Sequence, residues 1–452
     1  MSATALVQAT DPAALFAFYD GAPRSMGQFL RDVSRVAGLL PPTGPVLNAC
    51  SDRYHFAVGL GAALVADRMT VLPAAYAAET IKALRARMPD LYGLSDGDLD
   101  IALPLVPFPR LDPEAPARSL VPPMPHIPSG RQVVMVFTSG TTGTPAGHVK
   151  TWGSLVAGAY AEADRLGLSG GAAWSLVATV PPQHMYGLES SVMLGLHGGA
   201  VLHAARPFYP KDIAETLASV PRPRLLVTSP VHLRALLTSA VATPPLDAIL
   251  CATAPLPLAL AEQAEERLGA PLYEIYGATE AGQIASRCPT REEDWRLFPG
   301  LVLEPRGEGF IVRGGHVQTP APLSDIIEPV GPASFRFHGR GADIVNVAGK
   351  RSSIAFLEQQ LLAIPGVLDG AFYMPDEDFA GPVARLTAFV VAPGLSCAAI
   401  ETALRARIDP VFLPRPLMLV DALPRLATGK LPLETLRRLL ASGARDVGQG
   451  HG

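Results

Sequence analysis

The residues best suited to chemistry in this chain form a loop of hydroxyls and glycines, Thr138-Ser139-Gly140-Thr141-Thr142-Gly143-Thr144-Pro145, which follows a β-branched run. Glycine has no Cβ, so backbone N–H groups and hydroxyls can converge there on the oxygens of an anion. The loop is not a Walker A motif, because no Gly-Lys-Ser/Thr follows at the required spacing. The pattern predicts an anion cradle; a polar turn that closes a buried strand is the alternative.

A second stretch, Tyr276-Gly277-Ala278-Thr279-Glu280, presents a hydroxyl and a carboxylate just after a strand-like run. Hard oxygen ligands of this kind suit Mg²⁺ beside phosphate groups. The stretch therefore predicts a cation site next to a bound anion. An ordinary exit from a strand into a loop is the alternative.

Two glycine turns further along the chain each carry a basic residue. Gly339-Arg340-Gly341 lies where the composition changes, which predicts a flexible junction. Gly429-Lys430 places a lysine at the tip of a turn, from which it could enter the cleft of another domain. A solvated surface lysine is the alternative.

Helix-like and strand-like segments alternate through the first part of the chain. Residues 25–40 and 54–66 have helical patterns, and residues 46–49 are predicted to form a buried strand between them. This alternation is typical of an α/β architecture. From residue 343 onward, strands and helices predict a separate α+β unit of about a hundred residues.

Composition excludes several functional classes. The 452 residues are 48% hydrophobic and 17% charged, with a net charge of -4, so neither a nucleic-acid footprint nor a basic membrane surface is expected. Four cysteines without metal or redox spacing indicate a reducing compartment. No signal peptide is evident, and the apolar stretch 56–65 is too short to span a bilayer. We therefore predict a cytoplasmic protein without a membrane span.

Taken in order, these stretches resemble the adenylate-forming superfamily of acyl-CoA synthetases, aryl-CoA ligases, luciferases and peptide-synthetase adenylation domains. The match covers the phosphate loop at Thr138–Pro145, the Tyr-Gly-x-Thr-Glu motif at Tyr276–Glu280, the hinge at Gly339-Arg340 and the terminal lysine at Lys430. Weaker matches are His184, Thr253-Ala254-Pro255 and Asp325. The resemblance implies an α/β fold with a large multi-layer N-terminal domain, residues 1–339, and a small mobile C-terminal α+β domain, residues 340–452.

The resemblance also implies ATP and Mg²⁺ as cofactors. A carboxylate would attack the α-phosphorus of ATP to give an acyl-adenylate and pyrophosphate. The implied catalytic residues are Lys430, which would bridge the carboxylate and α-phosphate oxygens, Glu280, which would also hold the metal, Thr279 at the α-phosphate, and His184 at the substrate carboxylate. The implied nucleotide-binding residues are Thr138, Ser139, Gly140, Thr141, Thr142, Gly143, Thr253, Ala254, Pro255, Tyr276, Gly277, Asp325, Arg340 and Arg351.

In the second half-reaction a thiol would attack the adenylate after the C-terminal domain has rotated, and Gly349 would line the thiol channel. The implied wall of the acid pocket consists of His184, Met185, Tyr186, Gly187, Thr228, Gly277 and Ala278. Met185 and Tyr186 could face a flat ring or be ordinary core residues. His184 could contact the carboxylate or be a hydrogen-bonded structural histidine.

Three departures from the family pattern stand out. Ala146 occupies the place of the usual loop lysine, and Lys150 could supply a charge nearby. The ribose site, Leu323-Ser324-Asp325, keeps only the carboxylate of its usual pattern. The usual charged hinge residue is Ala342, so the hinge would rely on Gly341.

We therefore predict an acid-thiol ligase that acts on an aromatic or acyl carboxylate and on the phosphopantetheine thiol of CoA or of a separate acyl carrier protein. Arginines at 405, 407, 415, 425, 437 and 438 could form a docking face for such a carrier. A non-catalytic AMP-binding homologue is one alternative, although Glu280 and Lys430 argue against it. An enzyme that diverts the adenylate, as in β-lactone formation, is another.

Overall fold

The computed structural model describes residues 2–73, 75–111, 121–137, 147–307, 309–340, 344–347, 350–375, 385–426 and 431–447. These residues form a large N-terminal α/β part and a smaller C-terminal α+β part, which confirms the predicted fold class. Among them, no helix is both long enough and apolar enough to cross a bilayer.

The strands are β1 Ala3–Ala5, β2 Leu15–Tyr19, β3 Ala22–Ser25, β4 Val46–Asn48, β5 Thr70–Leu72, β6 Tyr92–Ser95, β7 Leu105–Pro107, β8 His126–Pro128, β9 Gln132–Phe137, β10 Gly147–Thr151, β11 Trp174–Ala178, β12 Ala200–His203, β13 Arg224–Thr228, β14 Ala248–Cys251, β15 Leu272–Ala278, β16 Gly282–Arg287, β17 Trp295–Leu297, β18 Leu301–Arg306, β19 Gly309–Gly314, β20 Val317–Leu323, β21 Asp325–Gly331, β22 Ser334–Arg340, β23 Ile344–Val347, β24 Lys350–Ser353, β25 Asp369–Tyr373, β26 Thr387–Val391 and β27 Leu417–Leu419.

The α-helices are α1 Met26–Ala37, α2 Arg53–Val65, α3 Ala78–Arg87, α4 Trp152–Arg165, α5 Met185–Gly187, α6 Leu194–His197, α7 Pro210–Ala218, α8 Pro230–Thr238, α9 Leu258–Leu268, α10 Ile354–Leu362, α11 Cys397–Arg405 and α12 Leu433–Val447. A π-helical turn, Leu188–Met193, joins α5 to α6.

Local sequence explains where the first helices begin and what they bury. Ser25 caps α1 through a capping box with Gln28, and the apolar face of α1 is buried. Asp52 caps α2, whose residues from Arg53 to Leu64 are buried with the exception of His55. A helix that is apolar on all sides belongs inside a core, and α2 lies there.

Two sheets organise the N-terminal part. Within the described residues the larger has the order β21-β22-β17-β16-β15-β14-β13-β11-β12-β2-β3, and the second has the order β10-β9-β5-β4-β6-β7. Strands β12, β11, β13, β14 and β15 run parallel to one another. Parallel strands present their carboxyl ends at one edge of a sheet, where ligands bind in open α/β folds. The loops that follow these strands therefore meet at that edge.

The C-terminal part has a core of its own, in which α10 and α11 pack with the sheet β25-β26-β27. An ion pair between the two parts involves Arg234 of α8, which lies 3.9 Å from the carboxylate of Asp369 in β25. The predicted domain boundary, between residues 339 and 340, falls at the end of β22. The boundary stays a prediction, because residues 341–343 lie outside the described part.

A fully buried cation, Arg53, holds together the exits of two central strands. Its guanidinium donates hydrogen bonds to the hydroxyl of Ser191 and to the carbonyl oxygens of Ala178, Val180, His203 and Ala205, at 2.7–3.3 Å. Burial lowers the pKa of Arg53 to about 10, and the nearby charge of Asp52 opposes this shift. The side chain stays charged at neutral pH and fixes the backbone that leads from β11 to His184.

Replacing Arg53→Met should lower the free energy of unfolding by about 3 kcal/mol, because several buried carbonyl groups lose their donor at once. Thermal unfolding would measure the shift. Arg85→Met is the matched control, since Arg85 donates one exposed hydrogen bond to the carbonyl of Ala102. Equal midpoints for the two variants would contradict the assigned role of Arg53.

Candidate active site

The loop after β11 places His184 at the carboxyl edge of the large sheet. His184 precedes the short helix α5, and its backbone N–H donates to the carbonyl of Pro181. Gly187 permits this path, because a Cβ at that position would lie 1.9 Å from the carbonyl oxygen of Pro181. A side chain there would displace the backbone that carries His184.

Tyr186 contacts the carboxyl ends of the neighbouring strands β13 and β14. Its hydroxyl donates to the carbonyl oxygens of Thr228 and Leu250, at 3.2 and 3.0 Å. The hydroxyl of Thr228 in turn lies 3.0 Å from that of Thr179. Burial raises the pKa of Tyr186 well above its ordinary value, so the phenol remains neutral. The structure thus brings Tyr186 and Thr228 together, with the hydroxyl of Tyr186 engaged in a structural role, and His184 precedes Tyr186 by two residues.

The loop after β14 contains a strained residue. Thr253 has a φ of +88°, in the left-handed region that residues with a Cβ seldom adopt. Its Oγ1 is buried and has no hydrogen-bond partner among the described residues. Strain of this kind and unpaired polar atoms gather at functional sites. The position matches the start of the predicted Thr253-Ala254-Pro255 motif.

Tyr276 and Asp325 meet on the side of the sheet formed by antiparallel strands. The hydroxyl of Tyr276 donates to Oδ2 of Asp325, and the ring of Tyr276 packs against Trp295, Phe335 and Phe337 with centroids 5.5–5.7 Å away. Asp325 is opposite Arg340 in the register of β21 and β22. The structure therefore brings these predicted nucleotide-binding positions together.

Thr279 and Glu280 lie in the turn between β15 and β16, beyond Gly277 and Ala278. Among the described residues, no three His, Cys, Asp or Glu side chains gather into a metal cluster. Glu280 is the carboxylate in this turn that would hold a divalent cation, with phosphate and water oxygens as further ligands. That donor set is typical of Mg²⁺ and fits the predicted cofactor.

A cavity of about 360 Å³ lies beside His184, between the two sheets. Its lining includes Tyr76, Asp96, Gln183 and Arg206, which sequence reasoning did not identify. Tyr76 and Asp96 follow strands of the smaller sheet and Arg206 follows β12, so only the packing of the two sheets reveals their proximity. Nothing in their local sequence would have identified them.

Asp96 is held rigidly at this cavity. It accepts hydrogen bonds from the backbone N–H groups of Ser51 and Asp52 at 2.9 and 3.0 Å, and His55 Nδ1 lies 3.0 Å away. Burial would raise the pKa of Asp96, but these hydrogen bonds outweigh burial and the pKa falls below its ordinary value. The carboxylate is therefore a fixed negative charge that orders the start of α2.

Several predicted site residues lie outside the described part of the chain. These are the loop Thr138, Ser139, Gly140, Thr141, Thr142 and Gly143, together with Ala146, Gly349 and Lys430. The side chains of Arg340 and Arg351 are likewise not described. Their roles stay predictions.

Because Thr253 has a strained φ, the order of stability of its glycine and alanine variants can be predicted and tested. In an ordinary helix or strand, glycine is less stable than alanine by about 0.5–1 kcal/mol. At Thr253 the order should invert, with Thr253→Gly more stable than Thr253→Ala by about 1 kcal/mol, because only glycine tolerates this φ without strain. Chemical denaturation of both variants would measure the difference. Thr216, in α7, is the control position where alanine should remain the more stable residue.

Comparisons with known proteins identify the family and the fold. The profile of the family described as AMP-binding enzyme matches residues 60–305, more than half of the chain. A 4-coumarate–CoA ligase of Rhodobacter capsulatus is 30% identical over 272 residues, which is 60% of this chain and 66% of that protein. A 4-coumarate–CoA ligase of Halorhodospira halophila is 32% identical over 307 residues, which is 65% of this chain and 73% of that protein. The chain thus spans about two thirds of the length of these relatives.

Among solved structures, the o-succinylbenzoate CoA synthetase of Bacillus subtilis in complex with its acyl-adenylate intermediate has a TM-score of 0.77 at 19% identity, with 95% of both chains covered. The same synthetase in complex with ATP and a magnesium ion has a TM-score of 0.76 at 18% identity, and the match covers 94% of this chain and 97% of that one. At such identities the likeness establishes the fold. Together with the family profile, it shows that the chain belongs to the AMP-binding enzymes, and the predicted adenylate-forming ligase resembling acyl- and aryl-CoA synthetases is confirmed.

Proposed function

We propose that the protein is an ATP- and Mg²⁺-dependent acid-thiol ligase that adenylates an aromatic or medium-sized acyl carboxylate and transfers the acyl group to a phosphopantetheine thiol. The observation that carries this proposal is the convergence of His184, the Thr279–Glu280 turn and the Tyr276–Asp325 pair around the carboxyl edge of one sheet. His184 suits the carboxylate of the acid, the Thr279–Glu280 turn suits the phosphates of ATP, and the Tyr276–Asp325 pair suits its ribose.

The nucleotide end is argued from Tyr276 and Asp325. A carboxylate accepts hydrogen bonds from the two hydroxyls of a ribose, and the hydroxyl of Tyr276 fixes the orientation of that carboxylate. Thr279 and Glu280 lie beyond Tyr276 on the same strand and its turn, where phosphates would follow the ribose. A bound magnesium ion would neutralise charge that develops on the phosphate oxygens.

The acid end is argued from the loop between β11 and α5. His184 offers a ring N–H to a carboxylate, and the backbone around it is held by Arg53, Gly187 and Tyr186. A fixed donor lowers the cost of orienting the attacking carboxylate. The relatives named 4-coumarate–CoA ligases support an aromatic acid as substrate and CoA as the source of the thiol.

A separate acyl carrier protein is the second candidate for the thiol. The proposed docking face loses one of its members, because Arg425 is largely buried and forms a two-pronged pair with Asp369 at 2.8 and 2.9 Å. Arg405 and Arg438 are half or more exposed, and each forms an ion pair with a glutamate of its own helix, at 4.0 and 3.7 Å. Exposed pairs of this kind are weak, so both arginines can still meet an acidic partner. Transfer assays with CoA and with a carrier protein distinguish the two acceptors.

ATP–pyrophosphate exchange with a panel of aromatic and acyl acids tests the proposed first half-reaction. Lys430→Ala should reduce exchange at least about hundredfold, since it removes a positive charge expected at the α-phosphate, and should spare thiol transfer from supplied acyl-adenylate. Lys211→Ala, at an exposed lysine of α7, is the control. Mass spectrometry with CoA or a holo-carrier would then identify the acceptor. Exchange with no acid at all would exclude the ligase proposal, and equal loss of both half-reactions would exclude the assigned role of Lys430.

Tyr276→Phe should raise the KM for ATP about tenfold with little change in kcat, because Asp325 loses the donor that orients it and a hydrogen bond to a charged group is worth about 1.5 kcal/mol or more. Tyr273→Phe, on the same strand, is the matched control; Tyr273 lies beneath the guanidinium of Arg165. The KM for ATP in the exchange assay is the measurement. An unchanged KM would show that Asp325 does not depend on Tyr276.

A further inference from the structure

The missing loop lysine at Ala146 raises the question of which cation serves the triphosphate end of the site. Strand β10 begins at Gly147, directly after the predicted phosphate loop, and Lys150 lies within it. Lys150 is only 7% exposed. A lysine is rarely buried to this extent unless its ammonium group has a defined partner.

That partner is the backbone of the predicted metal-binding residue. Lys150 Nζ donates to the carbonyl oxygen of Glu280 at 2.7 Å. Because β10 belongs to the smaller sheet and the Glu280 turn to the larger, this one hydrogen bond ties the two sheets together at the candidate site. It also ties the strand that leaves the phosphate loop to the turn that carries the carboxylate.

A second group supports the same turn from the π-helical segment. Oε1 of Glu189 accepts a hydrogen bond from the backbone N–H of Gln283 at 3.4 Å. Gly282 has a φ of +86°, and a Cβ there would lie 2.5 Å from Oε1 of Glu189. Only glycine lets the buried carboxylate approach so closely. Lys150 thus holds this segment at Glu280, and Glu189 holds it at Gln283.

The charges around Lys150 are complementary. Burial lowers the pKa of Lys150, whereas Glu189 and Glu280 raise it. Burial also raises the pKa of Glu189 to about 7, and the charge of Lys150 opposes that shift. Burial lowers the pKa of His148, two residues before Lys150 on the same strand, and the charge of Glu280 opposes that shift, so His148 adds no positive charge at neutral pH. Lys150 therefore supplies the positive charge of β10 that faces the turn, where Ala146 contributes none.

We propose that Lys150 is a positioning residue for the magnesium carboxylate: its ammonium group fixes the backbone of Glu280 and couples the phosphate-loop strand to that turn, where Ala146 leaves the loop without a lysine. This inference rests on the proposed function. A purely structural lysine would stabilise the fold without altering the requirement for magnesium, and that difference allows a test.

The experiment titrates MgCl₂ at fixed ATP with the wild-type chain, Lys150→Met and Lys150→Arg, and follows both the thermal midpoint and ATP–pyrophosphate exchange. Lys150→Met should raise the magnesium concentration for half-maximal stabilisation about tenfold, because loss of a charged hydrogen bond frees the turn. Lys150→Arg, which keeps a charged donor, should recover to within about threefold of the wild-type value. Lys211→Met, at an exposed lysine, should match the wild type.

An unchanged magnesium requirement in Lys150→Met, or equal defects in the Met and Arg variants, would overturn the inference. If Lys150→Met does not fold, the double variant Lys150→Met with Glu189→Gln removes both buried charges and takes its place. The thermal readout needs no acid substrate. Absence of any Mg²⁺–ATP stabilisation in the wild-type chain would therefore count against the proposed function, whereas normal wild-type binding with unaltered variants would count against the role of Lys150 alone.

Discussion

Parallel pairing of β11, β13, β14 and β15 is the constraint on which the site depends. Their registers, such as Thr228 opposite Cys251 and Cys251 opposite Glu274, align the four carboxyl ends at one edge. Strands β13 and β14 end at the same level and β11 close to it, whereas β15 continues past Glu274 to Ala278, and residues far apart in the chain become neighbours. A shift of one residue in any pair would turn every side chain of the shifted strand to the opposite face of the sheet.

Loops that leave a buried sheet carry backbone carbonyl groups away from their ladder partners, and these groups need donors. In this chain, side chains of fixed geometry are the donors to these carbonyl groups. Arg53 satisfies the exits of β11 and β12, Tyr186 satisfies those of β13 and β14, and Lys150 satisfies the turn after β15. The same hydrogen bonds that make the edge stable also hold the candidate catalytic groups in place.

Much of this arrangement can be predicted from the sequence. The order of the motifs predicts the family, and apolar runs predict most of the central strands and helices. Each of these signals is contained in a short stretch of sequence. The cross-chain contacts escape such reasoning. Lys150 and Glu280 are 130 residues apart, and Gln183 bonds to the carbonyl of Cys50 across 133 residues. The φ of Thr253 is equally hidden, because threonine is an unexpected choice for a left-handed position.

The Arg234–Asp369–Arg425 cluster connects the site to the C-terminal part. Arg425 precedes Lys430 by five residues. Burial lowers the pKa of Arg425, but the hydrogen bonds and the charge of Asp369 outweigh burial and raise that pKa above its ordinary value. That pair lies within the C-terminal part and would travel with it in a rotation of the kind predicted for thiol transfer. The 3.9 Å contact to Arg234 would break instead. A partly exposed ion pair contributes on the order of 1 kcal/mol or less, so Arg234 biases the orientation of the C-terminal part without locking it. Because α8 begins two residues after Thr228, that bias acts on the helix next to the proposed acid pocket.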